Sequence, residues 1–99
     1  MLIVDSQIHI WGNRLQTNPA YRQIPVYSQD DALRDVDAAG VDAAVLHPPG
    51  WDPQANEIAV EAARQHPNRF AILGNFPVDR PESRALVESW KQRPGMIGP

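Results

Sequence analysis

Asp5, Gln7 and His9 occupy every second position of the opening segment Leu2–Ile10, with Trp11 just behind. The segment is β-branched and alternates from Val4 onward, so it reads as a strand. Successive strand side chains point to opposite faces. A carboxylate, an amide and an imidazole are therefore expected on one face, and Val4, Ile8 and Ile10 on the other. On a strand buried on both faces, each inward polar group costs on the order of 1–3 kcal/mol unless satisfied. That cost favours a site or a polar network. The plainer alternative is a hydrogen-bonded Asp–His pair on a solvated face.

Other candidates lie further along. His47 ends a second apolar run, immediately before "PPGWDP". It reads either as a substrate contact or as a strand-end cap. Asn75 stands at the end of a third run. Trp11 and Trp51 lie in loops that follow strands. The 11–27 loop also carries Arg14, Tyr21 and Arg22. An arginine there could clamp a carboxylate bidentately, although solvated loop charge is the simpler reading for any one of them. His66, ahead of Pro67, reads as a surface residue suited to a helix C-terminus.

The elements that must position these residues alternate. "SQDDALRDVDAAG" predicts a helix with Ser28 as N-cap, Asp31 completing a capping box, and Asp30 and Asp31 at the positive end of the dipole. Leu33, Val36 and Ala38 or Ala39 form its apolar stripe, and Gly40 stops it. Residues 41–47 predict strand two. "PQANEIAVEAARQH" predicts a helix with Pro53 in its first turn and Ile58, Ala59, Ala62 and Ala63 on one side. Residues 69–76 predict strand three. "PVDRPESRALVESWKQR" predicts a third helix that buries Leu86, Val87 and Trp90, stopped by Pro94-Gly95. "MIGP" opens a fourth strand.

The order βαβαβα–β implies a parallel sheet with helices packed outside. In such proteins ligands meet the carboxyl ends of the strands, which gives His9, His47 and Asn75 one address. Three and a half βα units predict the N-terminal part of a larger α/β protein, with residues 1–99 a single partial domain. A complete four-stranded α/β domain is the alternative, and its edge strand would have only four residues.

Composition narrows the function classes. The 99 residues are 42% hydrophobic and 21% charged, with a formal net charge of -3. No basic stripe exists for nucleic acid. The chain has no cysteine, hence no disulfide framework, thiolate nucleophile or cysteine metal site. No apolar run approaches the ~20 residues of a membrane span, and the first segment lacks a basic n-region. A cytoplasmic protein is the expectation.

"IVDSQIHIW" resembles the opening strand of the amidohydrolase-related hydrolases, in the branch that includes the 2-pyrone-4,6-dicarboxylate lactonases. That branch typically opens with Asp-x-His-x-His and an aromatic. "LRDVDAAGVDAAVLHPPGWDPQANEIAVEAARQHPNRFAILGNFPVDRPES" is similar to its second and third βα units, and "PGMIGP" sits where the family has a fourth strand. The resemblance covers essentially the whole chain, and the order and spacing of the motifs carry it.

It implies a (β/α)8 TIM barrel and hydrolysis of a C–O or C–N bond in a small carboxylated lactone, ester or amide. Related members decarboxylate instead. It assigns catalytic roles to Gln7 and His9 and a substrate contact to His47; Trp11 and Asn75 are expected as substrate contacts from their place at the strand ends. In metal-using members two strand-one histidines bind a divalent ion, Zn²⁺ or Mn²⁺, which acidifies a bound water. Here Gln7 replaces the first histidine and only His9 remains as a ligand. That departure implies substrate contact, a weak metal site or metal-independent chemistry. The water-activating residue is expected on later strands, so the 99-residue chain alone is expected to be inactive. A non-catalytic α/β binding domain is the alternative from another class.

Overall fold

The computed structural model describes residues 1–12, 24–76 and 79–98. The candidates Arg14, Tyr21 and Arg22 lie outside the described residues, as do Pro99 and the side chain of Val87.

The elements run β1 (Val4–Ile8), α1 (Gln29–Ala38), β2 (Ala43–Leu46), α2 (Ala55–Gln65), β3 (Phe70–Leu73), α3 (Ser83–Ser89) with a 3₁₀ turn at Trp90–Gln92, and β4 (Met96–Gly98). All four strands are parallel, in the order β1-β2-β3-β4. The fold is α/β: four parallel strands in one sheet, with helices between them. No helix among the described residues is long and apolar enough to cross a membrane.

Local chemistry explains where α1 starts and stops. Ser28 accepts the Asp31 amide, and the Asp31 carboxylate accepts the Ser28 amide at 3.0 Å. This capping box satisfies two of the donors that a helix N-terminus leaves without partners. Gly40, at φ 75°, follows the last turn, where a left-handed residue satisfies the terminal carbonyls. Ala32 and Val36 are the buried residues of α1, with Leu33 packed beside them; Ala38 and Ala39 are exposed. In α2 the apolar side is Ala55, Ala59, Ala62 and Ala63, with Ile58 half-buried. Small residues there let α2 lie close to the sheet. Pro53 falls in the turn before this helix, not in its first turn.

The core lies between sheet and helices. Ala44, Leu46, Phe70, Ile72 and Met96 face Ala59, Ala62, Ala63 and Trp90 across it. Residues of opposite parity, Ala43, Val45, Ala71 and Leu73, are half-buried, and Ile97 is exposed. The helices thus cover one face and leave the other open, as on the interior side of a barrel. Trp90 is core, as expected. Leu86 is 40% exposed, not buried: α3 ends at Ser89, and Ser83 and Trp90 mark its packed side. His66 is the α2 C-cap, half-buried with its ring edge-on to Phe70, not a free surface residue.

β1 departs from the simple strand. Asp5 is in register with Ala44, yet Ile8 is in register with Leu46. Three steps on β1 match two on β2, so β1 carries a bulge. Parallel neighbours in register point the same way, so Asp5 joins the row of the buried Ala44. Gln7 and His9 stay on the open side. The expected three-residue polar stripe is therefore split by the bulge, and Asp5 leaves it. Its Oδ1 accepts the Gln7 amide at 3.0 Å, which provides for a backbone donor in the disrupted ladder.

Candidate active site

His9 follows β1 and His47 follows β2, at the carboxyl ends of neighbouring strands. Two hydrogen bonds tie these strand ends together. His9 Nδ1 lies 2.6 Å from the carbonyl oxygen of His47. His47 Nε2 lies 2.9 Å from the carbonyl oxygen of Ser6, in the bulge. A carbonyl oxygen only accepts, so both ring nitrogens must donate. This selects the Nδ1–H tautomer of His9 and the Nε2–H tautomer of His47. In the neutral rings the lone pairs then sit on His9 Nε2 and His47 Nδ1. The rings meet edge to face with centroids 6.4 Å apart. One of the two readings offered for His47 is thus seen: its Nε2 caps the end of the neighbouring strand.

Gln7 is exposed, and its backbone is held by Asp5. Its side-chain amide offers a donor pair and an acceptor. Among the described residues no group of three or more His, Cys, Asp or Glu gathers as a metal site would. One imidazole beside one neutral amide oxygen is a poor donor set for Zn²⁺, which takes several nitrogen or sulfur ligands. The described residues therefore do not fit a metal by themselves.

Trp11 has a different setting. Its Nε1–H donates to the carbonyl of Ile24 at 2.9 Å. Its backbone forms an isolated antiparallel bridge with Tyr27, and its ring packs on Tyr27 and Trp51, with centroids 5.4 and 5.6 Å away. The indole N–H is committed, so Trp11 offers a ligand only its ring. Tyr27 is hydrogen-bonded to Asp35. Burial, that hydrogen bond and the nearby carboxylate charges push its phenol up to about 12.

Asn75 follows β3 and is exposed. Its backbone is gripped on both sides by Asn56 of α2, which donates to the Asn75 carbonyl at 3.0 Å and accepts its amide at 2.9 Å. Asn75 lines an open cleft of about 460 Å³ together with Asp52, Asn56, Phe76 and Arg80.

Four of these, Asp52, Asn56, Phe76 and Arg80, were not singled out by type and spacing. Asp52 is buried, 6% exposed. It accepts the Gln54 amide at 2.9 Å through Oδ1 and the Gly12 amide at 3.3 Å through Oδ2. It thereby pins the segment after β1 to the start of α2. The Asp-Pro-Gln sequence carries its signal, since Asp commonly bonds the backbone two residues on. Asn56 had no such signal, because its partner lies 19 residues away.

No protein-family model matches the sequence, and neither does any curated protein. Among solved structures the fold is similar to that of a probable 2-pyrone-4,6-dicarboxylic acid hydrolase from Acinetobacter baumannii, crystallised with citric acid bound. The TM-score is 0.71 at 18% identity, over 99% of this chain and 36% of that one. The chain thus spans about a third of the neighbour's length, and the likeness is one of fold.

Proposed function

We propose that the chain supplies the first strands of a hydrolase barrel in which water cleaves a C–O or C–N bond of a small carboxylated lactone, ester or amide. The observation that carries this reading is the aim of His9. With Nδ1–H anchored on the His47 carbonyl, its Nε2 lone pair is left on the open side of the sheet, at the strand ends where barrel chemistry takes place. The fold likeness to a probable hydrolase supports the same class.

Within this reading His9 Nε2 accepts a hydrogen bond from the attacking water and fixes its approach. The Gln7 side-chain amide donates to the scissile carbonyl oxygen, where negative charge grows as water adds. The tetrahedral intermediate then expels the alkoxide or amine, which takes up a proton. The group that removes the proton from water comes from later strands. No step is routed through a metal, since Gln7 with His9 is a poor donor pair for one.

The test is a panel of carboxylated lactones, esters and amides given to the protein with its barrel closed, in ¹⁸O-labelled water. Label in the product acid is expected, and His9→Ala should lower turnover by at least ~100-fold. Release of carbon dioxide without label would establish decarboxylation instead. Turnover indifferent to His9 would overturn the role given to it.

A further inference from the structure

The cleft beside Asn75 contains a charge that the hydrolytic reading does not use. Arg34, Arg64, Arg69 and Arg93 are each paired with a carboxylate: Asp31, Glu61, Asp37 and Glu57 respectively. Arg80 lines the cleft, and among the described residues its guanidinium has no hydrogen-bond or ion-pair partner; its backbone carbonyl accepts the Ser83 amide at 3.1 Å. Asp52, the carboxylate in the same wall, is engaged elsewhere. Both its oxygens accept backbone amides, from Gln54 and Gly12.

The rest of the cleft suits an organic acid. Asn75 lines it, on a backbone that Asn56 holds by two hydrogen bonds. Phe76 supplies an apolar wall and is itself fixed edge-on against Trp90, with centroids 5.0 Å apart. The space, about 460 Å³, falls within the usual size of small-molecule sites. A guanidinium matches a carboxylate through two parallel hydrogen bonds. An amide donor and an aromatic wall favour a carboxylate with a carbon body over a bare inorganic anion.

We propose that this cleft is a carboxylate-binding subsite: Arg80 supplies the charge, Asn75 a second donor, Phe76 the apolar wall, and Asn56 the rigidity of the loop. The proposal rests on the hydrolase reading for its meaning, because it names where the substrate's acid group is held while its carbonyl meets Gln7 and His9.

The experiment is a nuclear magnetic resonance titration of the chain with benzoate, using benzamide as the uncharged control and sulfate as the inorganic anion. Benzoate is expected to shift the side-chain amide signals of Asn75 and Asn56 saturably. Arg80→Gln should weaken it at least tenfold, and Arg80→Lys less, since an ammonium keeps the charge but loses the fork. Arg80 is exposed, so neither variant threatens the fold. Binding of benzamide as tight as benzoate, equal competition by sulfate, or indifference to Arg80→Gln would each overturn the subsite.

His9→Ala should leave benzoate binding unchanged. If benzoate binds through Arg80 while no lactone, ester or amide is hydrolysed, the subsite stands and the hydrolase reading fails. If hydrolysis proceeds with KM unchanged in Arg80→Gln, the hydrolase reading stands and the subsite fails.

Discussion

His9 donates its Nδ1–H to the backbone carbonyl of His47 at 2.6 Å, and His47 in turn donates Nε2–H to the carbonyl of Ser6 at 2.9 Å. The second bond depends on the bulge that lies between Asp5 and Ile8. The two imidazoles are therefore held in opposite tautomers by backbone, and neither relies on a carboxylate. Anchoring one ring nitrogen on a carbonyl is the usual way of aiming the other at a ligand.

Imidazole nitrogen shifts report these tautomers directly. At a pH where both rings are neutral, His9 should show a protonated Nδ1 and an unprotonated Nε2, and His47 the reverse. The free-solution preference for Nε2–H in both rings would show that neither anchor forms. Because both acceptors are backbone carbonyls, His47→Ala should leave the His9 tautomer in place, and His9→Ala that of His47.

Gln7 occupies the open side of the same strand two residues before His9. Gln7→His would place two imidazoles on one strand, with His9 already presenting Nε2. The substitution is expected to tighten Zn²⁺ binding at least tenfold over the parent chain, because imidazole is a far better zinc ligand than an amide oxygen. Competition against a colorimetric chelator gives both constants. Equal affinities would show that position 7 does not reach the ligand space of His9.

These relationships differ in how far the sequence disclosed them. The capping box of α1 and the stop at Gly40 are local, formed within three or four residues, so residue type alone located them. The alternating order of strands and helices was legible for a similar reason, since hydrophobic period and Gly/Pro punctuation are also local. The bulge in β1 was not, because register belongs to a pair of strands, and nothing within "VDSQI" requires three of its steps to match two of β2. Losing that bulge from view put Asp5 on the wrong face. Leu86 was misplaced because helical period was extended past Ser89, where the chain tightens into a 3₁₀ turn. Asn56 draws its significance from the backbone of Asn75, a contact between residues 19 apart in the chain.

Tyr27 offers a test at alkaline pH. Its phenol is pushed up to about 12, first by burial and then by the hydrogen bond and charge of Asp35. The folded chain thus holds this proton more tightly than the unfolded chain, where tyrosine titrates near 10. Its contribution to stability is full below pH ~10 and fades as pH rises through about 12. Urea midpoints at pH 9 and at pH 11.5 should fall less in Tyr27→Phe than in the parent. A parallel fall in both would show that Tyr27 is not the linked group.

Gly95 and Gly40 share a backbone angle but not surroundings, and the pair separates strain from crowding. Both have φ 75°. Gly95 is the third residue of the turn 93–96, closed by the Met96 amide on the Arg93 carbonyl at 3.1 Å. Pro94 precedes it, the arrangement of a type II turn, which needs a left-handed third residue. A Cβ at Gly95 would lie 2.4 Å from the Cβ of Ala63 on α2, whereas one at Gly40 would meet nothing within 4 Å. Gly40→Ala should therefore cost only the left-handed strain, roughly 1–2 kcal/mol. Gly95→Ala should add an overpacking cost of about 1–3 kcal/mol, because α2 must move off the sheet to admit the methyl. Denaturant unfolding of the two variants beside the parent measures both. Equal losses would mean that β4 and its turn do not press against α2 at Ala63, and the close seating of that helix on the sheet would have to be abandoned.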